Sequence, residues 1–486
     1  MKNAKTVSLL IAALLTASCV MASCGAAQDS APASTTAAQG AAPDAEAETE
    51  AAETVIPDEL PADLDFGGRE FRVGFMTPDQ VKVAIVEEAT GDVVNDAVYE
   101  ANTKVDERLN VKITPLIYTD ESMNAIKKLV LAGDDVYDTV TGHDISIGNL
   151  SITGIFMDLY GMQYLDFDKP WWPSYSVDSL TVNNHMVLLS GYNSYENLQG
   201  TRCIWMNKKM ISDYGKPIPY DSVRNGSWTL DMFISYLEDV YQDLNGDNTR
   251  DEDDLYGWAT ASSLYAYQDS FGIEPYKEDE DGMLYVDASD EKLLTLVNKT
   301  RHALFETEGG LVLNDHSKTD EKFRNGTNMF ACRPLSMVNS MRDSDVEYGF
   351  LPMPKFDEAQ ENYISGSTDR PYAVPITITD TDFVGAVLEA MASEGYRTVR
   401  PAYFDIALKN KYSYDEDSAE MLDIIGNTII LDFAYIYSDY KGFAWTVMNL
   451  MAKNSNGDFA SYAAKQEKSE AKRVDKLNAF FQELDG

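Results

Sequence analysis

The sequence predicts an α/β protein of two or three domains with largely parallel sheets, carried behind an export signal and an acidic tether. Three observations support this. The 486 residues exceed one small domain, at roughly 100–200 residues per domain. From residue 71 onward, short β-type runs alternate with helical periodicity, the pattern of βαβ units. Residues 25–65 contain no Lys or Arg and few large aliphatic side chains. Charge narrows function before any motif does. The 80 acidic against 39 basic residues give a net charge of −41. That balance excludes a phosphate-backbone partner, which needs Lys/Arg clusters, and an anionic membrane surface would repel it. Four cysteines in this length exclude a disulfide scaffold.

Taking the chain in order, Lys2 and Lys5 precede the apolar or small residues 7–21. That stretch is too short to span a bilayer and suits a signal peptide over residues 1–23. Met21-Ala-Ser-Cys24-Gly25 then resembles a bacterial lipobox with Cys24 as the lipidated residue. Cys19 is the other acceptor, and ordinary cleavage would free the product. Residues 24–66 read as a lipid-anchored, disordered and self-repelling acidic linker. The expected location is the outer face of the cytoplasmic membrane, with contact to lipid through the anchor only.

In the body, Phe71-Arg-Val-Gly-Phe75 reads as the first strand, and Val94, Ala97, Val98, Ala101, Val105 and Leu109 recur at helical spacing. Residues 111–118 form the next strand, 123–131 a helix and 136–140 a third strand. Cys203-Ile-Trp-Met206 is a strand leading into a helix. Thr229 caps another helix, whose apolar face is Leu230, Phe233, Ile234, Leu237 and Tyr241. Further helices are expected near 290–306, 381–396, 416–437 and 459–484. The last carries Val474, Leu477, Phe481 and Leu484 on one stripe, packed against a lobe. Strands near 347–352 and 372–376 suggest a chain returning to an earlier sheet.

Several of these stretches resemble the extracellular solute-binding proteins of carbohydrate ABC transporters, the maltose-binding-protein-like group. They are Leu109-Asn-Val-Lys-Ile-Thr114, Leu131-Ala-Gly-Asp-Asp-Val-Tyr-Asp138, Ile204-Trp-Met-Asn-Lys-Lys209, Trp228-Thr-Leu-Asp231, Phe323-Arg-Asn-Gly-Thr-Asn-Met329 and Tyr348-Gly-Phe-Leu-Pro-Met-Pro-Lys355. Their order across residues 71–480 is the family's. The resemblance implies a two-lobed periplasmic-binding-protein-like (type II) fold with discontinuous lobes, a hinge and ligand in the cleft. The approximate division is 67–185 plus 330–378 for the first lobe and 186–329 plus 379–486 for the second. It further implies an oligosaccharide ligand, a membrane permease as partner, a monomer and no catalysis.

One local motif stands out. In the twelve residues from Asp243 to Asp254, side-chain oxygens fall at Asp243, Asn245, Asp247, Asp251 and Asp254, and Thr249 offers its carbonyl. That spacing suits calcium and looks similar to EF-hand and dockerin loops, although Asn248 replaces the usual Gly and Asp254 the usual Glu. One structural calcium ion is the expectation, and an acidic turn without metal is the plainer alternative.

For a sugar, ring faces and carboxylates are the arguable groups. His143-Asp144 follows the third strand, where open α/β sheets place ligands; in the family a similar pair lends its Asp to sugar hydroxyls. Asp144 is therefore the leading polar candidate, with a helix cap as its other reading. Trp258 and Trp445 are stacking candidates, and Trp171-Trp172 either line the cleft or bury the first lobe's rim. Trp205 reads as core. Cys203 and Cys332 either pair or stay as buried thiols. There is no G-x-S-x-G, H-E-x-x-H, P-loop or G-x-G-x-x-G motif. A glycosidase or lyase built from two of the acids, or a receptor for peptides or other small solutes, are the alternatives.

Overall fold

The computed structural model describes residues 56–261, 267–287, 291–412, 415–438 and 459–484. The leader, Cys24 and most of the linker lie outside the described residues, as does Trp445.

The first lobe is built on β1 (Arg69–Phe75), α1 (Val93–Leu109), β2 (Val111–Ile117), α2 (Asn124–Ala132), β3 (Thr139–Thr141), α3 (Asp144–Ser151) and α4 (Ser174–Leu180). Strand β1 pairs in parallel with β2 on one side and β3 on the other. Alternation buries Phe71, Val73 and Phe75. Asp92 caps α1 by accepting the N–H groups of Val94 and Asn95. Its buried stripe, Val94, Val98, Ala101, Val105 and Leu109, is the one that helical spacing predicts.

The second lobe contains β4 (Arg202–Asn207), α5 (Leu230–Leu237), β5 (Tyr241–Gln242), β6 (Leu255–Ala261), the hairpin of β7 (Tyr276–Glu278) and β8 (Leu284–Val286), α6 (Glu291–Phe305), β9 (Gly310–Leu313), β10 (Asn328–Pro334) and β11 (Tyr348–Leu351). Its sheet runs β11-β4-β10-β6-β5, with β9 also on β6. This corrects the expected division, which gave 330–378 to the first lobe. All six residues of β4 are buried, so both its edges need backbone partners. They are β10, from Phe330↔Met206 to Pro334↔Arg202, and β11, from Tyr348↔Asn207 to Leu351↔Ile204.

The chain then forms β12 (Ser365–Ser367) and rejoins the first sheet as β13 (Tyr372–Ala373), antiparallel to β3. Next, α7 (Thr381–Glu394) packs on α1 of the first lobe, although 379–486 was expected in the second. The expected helix 416–437 is broken. It resolves into α8 (Glu416–Gly426), β14 (Ile429–Leu431) parallel to β12, and α9 (Phe433–Ile436). Helix α10 (Phe459–Leu484) has its expected bounds, buries Val474, Leu477 and Phe481, and packs on β8.

The linker also ends earlier than residue 66. The Asp58 carboxylate is held by Arg108 at 2.6 Å and Arg397 at 3.1 Å. Burial pushes its pKa up, but the hydrogen bonds and charges of the two guanidiniums bring it down to about 2. Leu60 is buried beside it, and Phe66 meets Phe383 edge-on at 5.0 Å.

Between the lobes, the outgoing segment 189–201 runs beside the returning segment 365–372. Leu189 and Tyr372 exchange backbone hydrogen bonds of 2.9 and 2.8 Å. Thr201 bridges Ser367, whose hydroxyl donates to the Asn197 carbonyl at 2.6 Å. Gly200 permits this approach, since a Cβ there would lie 1.9 Å from the Thr368 carbonyl oxygen. Gly200→Ala is expected to cost about 2 kcal/mol in urea unfolding through overpacking. Gly161→Ala, where a Cβ meets nothing within 4 Å, should stay within about 0.5 kcal/mol of the parent.

Candidate ligand-binding site between the lobes

Helix α3 starts where β3 ends, and this brings Asp144 to the meeting point of the two crossing segments. The carboxylate is buried, with His143 Nδ1 at 3.0 Å. Burial pushes its pKa up to about 7, against the charge of Arg370 and the N–H groups of Asp369, Asp144 and Ile145. Asp144 is the first residue of its helix, whose N-cap position is His143 with no side-chain cap hydrogen bond, and its carboxylate lies beside the returning segment at Asp369 and Arg370. Arg370 Nε donates to Glu196 at 3.0 Å, which ties the second crossing to the first. Thr141 donates its hydroxyl to the Arg370 carbonyl at 2.7 Å. Asp369, beside them, is likewise pushed up to about 7 by burial.

A cavity of about 410 Å³ lies between α4 of the first lobe and a wall made of the β7–β8 hairpin, β14 and α9. Asp178 and Val182 border it on one side and Ile273, Glu274 and Tyr276 on the other, with Asp269 from the short helix Tyr267–Ser270 and Asp432 at the start of α9. Burial and the nearby Asp432 charge push Asp269 up to about 7, and burial pushes Asp432 up to about 6. None of Glu196, Asp269, Asp369, Arg370 and Asp432 was singled out from sequence. Only Asp432 left a local trace, as an Asp just ahead of a short helix it caps through the Tyr435 N–H at 3.1 Å.

The tryptophan candidates among the described residues are packed away. Trp258 lies in β6, buried, with Phe233 edge-on at 5.2 Å. The expected stacking role is corrected on that ground, because neither ring face is open to a solute. Trp171 and Trp172 take the second of their two readings: they are buried in the first lobe, and both indole N–H groups donate to Glu389, each at 2.8 Å. Burial pushes that carboxyl up to about 7 even so. Trp205 is core, 4.7 Å from Phe350.

The acidic loop is not the continuation of a helix. Helix α5 stops at Leu237, and β5 pairs antiparallel with β6, so residues 243–254 close a hairpin. Asn248 is left-handed at φ 58°, as its place in the pattern requires. The oxygens, however, are spent on the loop's own N–H groups. Asp243 accepts from Gly246 at 2.6 Å and Asn248 at 2.9 Å, Asn245 from Asp247 at 2.9 Å, Asp247 from Thr249 at 2.7 Å, and Asp251 from Asp253 at 2.9 Å. Asp254 turns inward to the Tyr241 hydroxyl at 2.9 Å and Leu244 N–H at 3.1 Å. Among the described residues no three His, Cys, Asp or Glu side chains gather on one point where a metal ion could sit, so the calcium set does not fit this arrangement. Cys203 and Cys332 are both buried, and Cys332 Sγ lies 3.4 Å from Met353 Sδ. Cys203 stands opposite Arg333 and Cys332 opposite Ile204, and this register sends the two sulfurs to opposite sheet faces.

Two predictions follow from the carboxylates. Asp144, Asp269, Asp369, Asp432 and Glu389 all have folded values above their ordinary 3.8 or 4.5. Between those values and about 7 the folded state binds more protons than the unfolded one, so stability falls as pH rises through that window. The urea midpoint should be higher at pH 5.5 than at pH 8, and Glu389→Gln should shrink the difference. For the loop, EDTA should leave the melting temperature within about 1 °C. A fall of several degrees reversed by calcium would mean the loop rearranges around the ion.

No family model matches the chain, and no curated relative matches it by sequence. Solved structures do match. The galacto-N-biose/lacto-N-biose I-binding protein of Bifidobacterium longum, solved with lacto-N-biose, aligns over 85% of this chain and 98% of its own at 13% identity and a TM-score of 0.55. An ABC-transporter-associated binding protein from B. animalis subsp. lactis, with β-1,6-galactobiose, covers 85% and 98% at 13% identity and TM-score 0.54. UgpB of Mycobacterium tuberculosis, with glycerophosphocholine, covers 85% and 99% at 14% identity and TM-score 0.54. With two α/β lobes, discontinuous in sequence and joined by paired crossing segments, the chain has the type II fold of the ABC-transporter solute-binding proteins.

Proposed function

We propose that this protein is a solute receptor of an ABC importer that binds an oligosaccharide between its lobes and presents it to a membrane permease. The observation that carries the reading is the near-complete coverage of sugar-binding receptors, 98% of each, by this chain's fold. The crossing pair supports the same mechanism. Segments 189–201 and 365–372 are bonded to each other, and the returning one also pairs with β14 and β3; where the lobes move about this pair, a ligand touching both shifts the population toward closure. Export, lipidation at Cys24 and the acidic linker belong to this reading as well: an anchored receptor has a raised effective concentration at its permease. A monomer suffices for this role.

A second reading has one specific observation behind it. UgpB was solved with glycerophosphocholine, so the scaffold also serves solutes that are not sugars.

The test is a thermal-shift screen of the chain against an oligosaccharide panel. A ligand at 100 times its dissociation constant adds roughly 2.7 kcal/mol, or several degrees for lobes of this size. A shift with the sugar recovered intact is the expected result, and product formation would instead favour a glycosidase or lyase. A panel without shifts would remove the oligosaccharide and leave glycerophosphodiesters and peptides to be screened.

A further inference from the structure

We propose that the cavity between α4 and the β7–β8 hairpin is a binding site for a small solute bearing a protonated amine. Five carboxylates border it: Asp178, Glu274 and Glu278 at the exposed rim, and Asp269 and Asp432 deeper in. Lys277, the basic side chain among the lining residues, is held by Asp287 at 2.6 Å.

Asp269 carries the argument. It is 4% exposed, yet among the described residues no side-chain donor bonds its carboxylate; Oδ1 accepts the Ser270 N–H at 2.9 Å. Gly366 leaves the room it occupies, since a Cβ there would lie 2.2 Å from Oδ2. Asp432 spends one oxygen on the Tyr435 N–H at 3.1 Å and the other on Gln268 Nε2 at 3.3 Å. Gln268 is fully buried, and its Oε1 has no hydrogen-bond partner among the described residues. This corner of the molecule is thus rich in acceptors, with Arg202 as the nearby positive charge. Buried acceptors without donors are costly, and adjacent buried carboxylates more so. An alkylammonium brings three N–H donors and no acceptor, which matches the deficit in both charge and hydrogen bonding. Val182, Ile273 and Phe433 offer an apolar wall to the rest of the solute, and about 410 Å³ is within the range of small-molecule pockets.

The inference goes beyond the receptor reading and stands on its own lining residues. Its test is isothermal titration of the full-length chain at pH 7.5 and 0.15 M salt with putrescine and with glucosamine, and with glucose as the neutral control. Both amines should bind and glucose should not compete with them. Asp269→Asn should weaken both about tenfold or more. Glu274→Gln, at the exposed rim where folding is not at risk, should weaken them severalfold, while Glu358→Gln, an exposed acid outside the cavity, should change nothing. Absence of binding, or equal weakening by all three variants, overturns the site. If neutral oligosaccharides shift the melt and the amines do not bind, this inference fails and the sugar receptor stands; amine binding with a flat sugar panel gives the reverse.

Discussion

The two crossing segments are the constraint on which the rest of the molecule depends. Leu189 and Tyr372 satisfy each other's backbone groups, and about ten residues further along the outgoing chain Thr201 bridges Ser367, whose hydroxyl donates to the Asn197 carbonyl. Neither segment can therefore be repositioned alone. Gly200 on one and Gly366 on the other remove the side chains that would push them apart or displace Asp269. The Arg370–Glu196 ion pair then adds a charged tie between the same two segments, on the side where β3 delivers Asp144.

Around that junction the molecule accepts an unusual electrostatic arrangement. In a chain with 80 acids, most carboxylates are solvated or paired, as Asp58 and Asp138 are with arginines. Asp144 and Asp369 are instead desolvated beside each other, as are Asp269 and Asp432, with Arg370 near the first pair and Arg202 near the second as opposing charges. Such groups weaken the folded state at neutral pH. They are where a bound solute, or a change in lobe spacing, has most free energy to release.

The fold was largely legible from sequence, the site much less so. Periodicity identified β1, α1, β2 and α10 because each buries a single regular stripe. The lobe boundaries were misplaced because a buried strand does not announce its partners: residues 330–378 were assigned to the first lobe, whereas β10 and β11 pair with the two edges of β4. The tryptophans were misjudged for a related reason. Residue type shows that Trp258, Trp171 and Trp172 can offer a flat face, but whether that face meets a solute or Phe233 and Glu389 is decided by three-dimensional packing. The acidic loop had the right spacing and even the left-handed Asn248, yet its oxygens were claimed first by local N–H groups and by Tyr241. Asp269, Asp369 and Arg370 sit in no motif, and only the approach of segments about a hundred or more residues apart gives them meaning.

The Asp58 clamp has a mechanical consequence. The carboxylate is gripped by Arg108 of α1 and by Arg397 just beyond α7, and Ser393 of α7 adds a hydroxyl at 3.1 Å. A pull on the chain upstream of residue 56 is therefore delivered to two packed helices of the first lobe, in shear across several charged bonds. A force entering the body at residue 56 is thus met by charged bonds within the first lobe, away from the crossing segments.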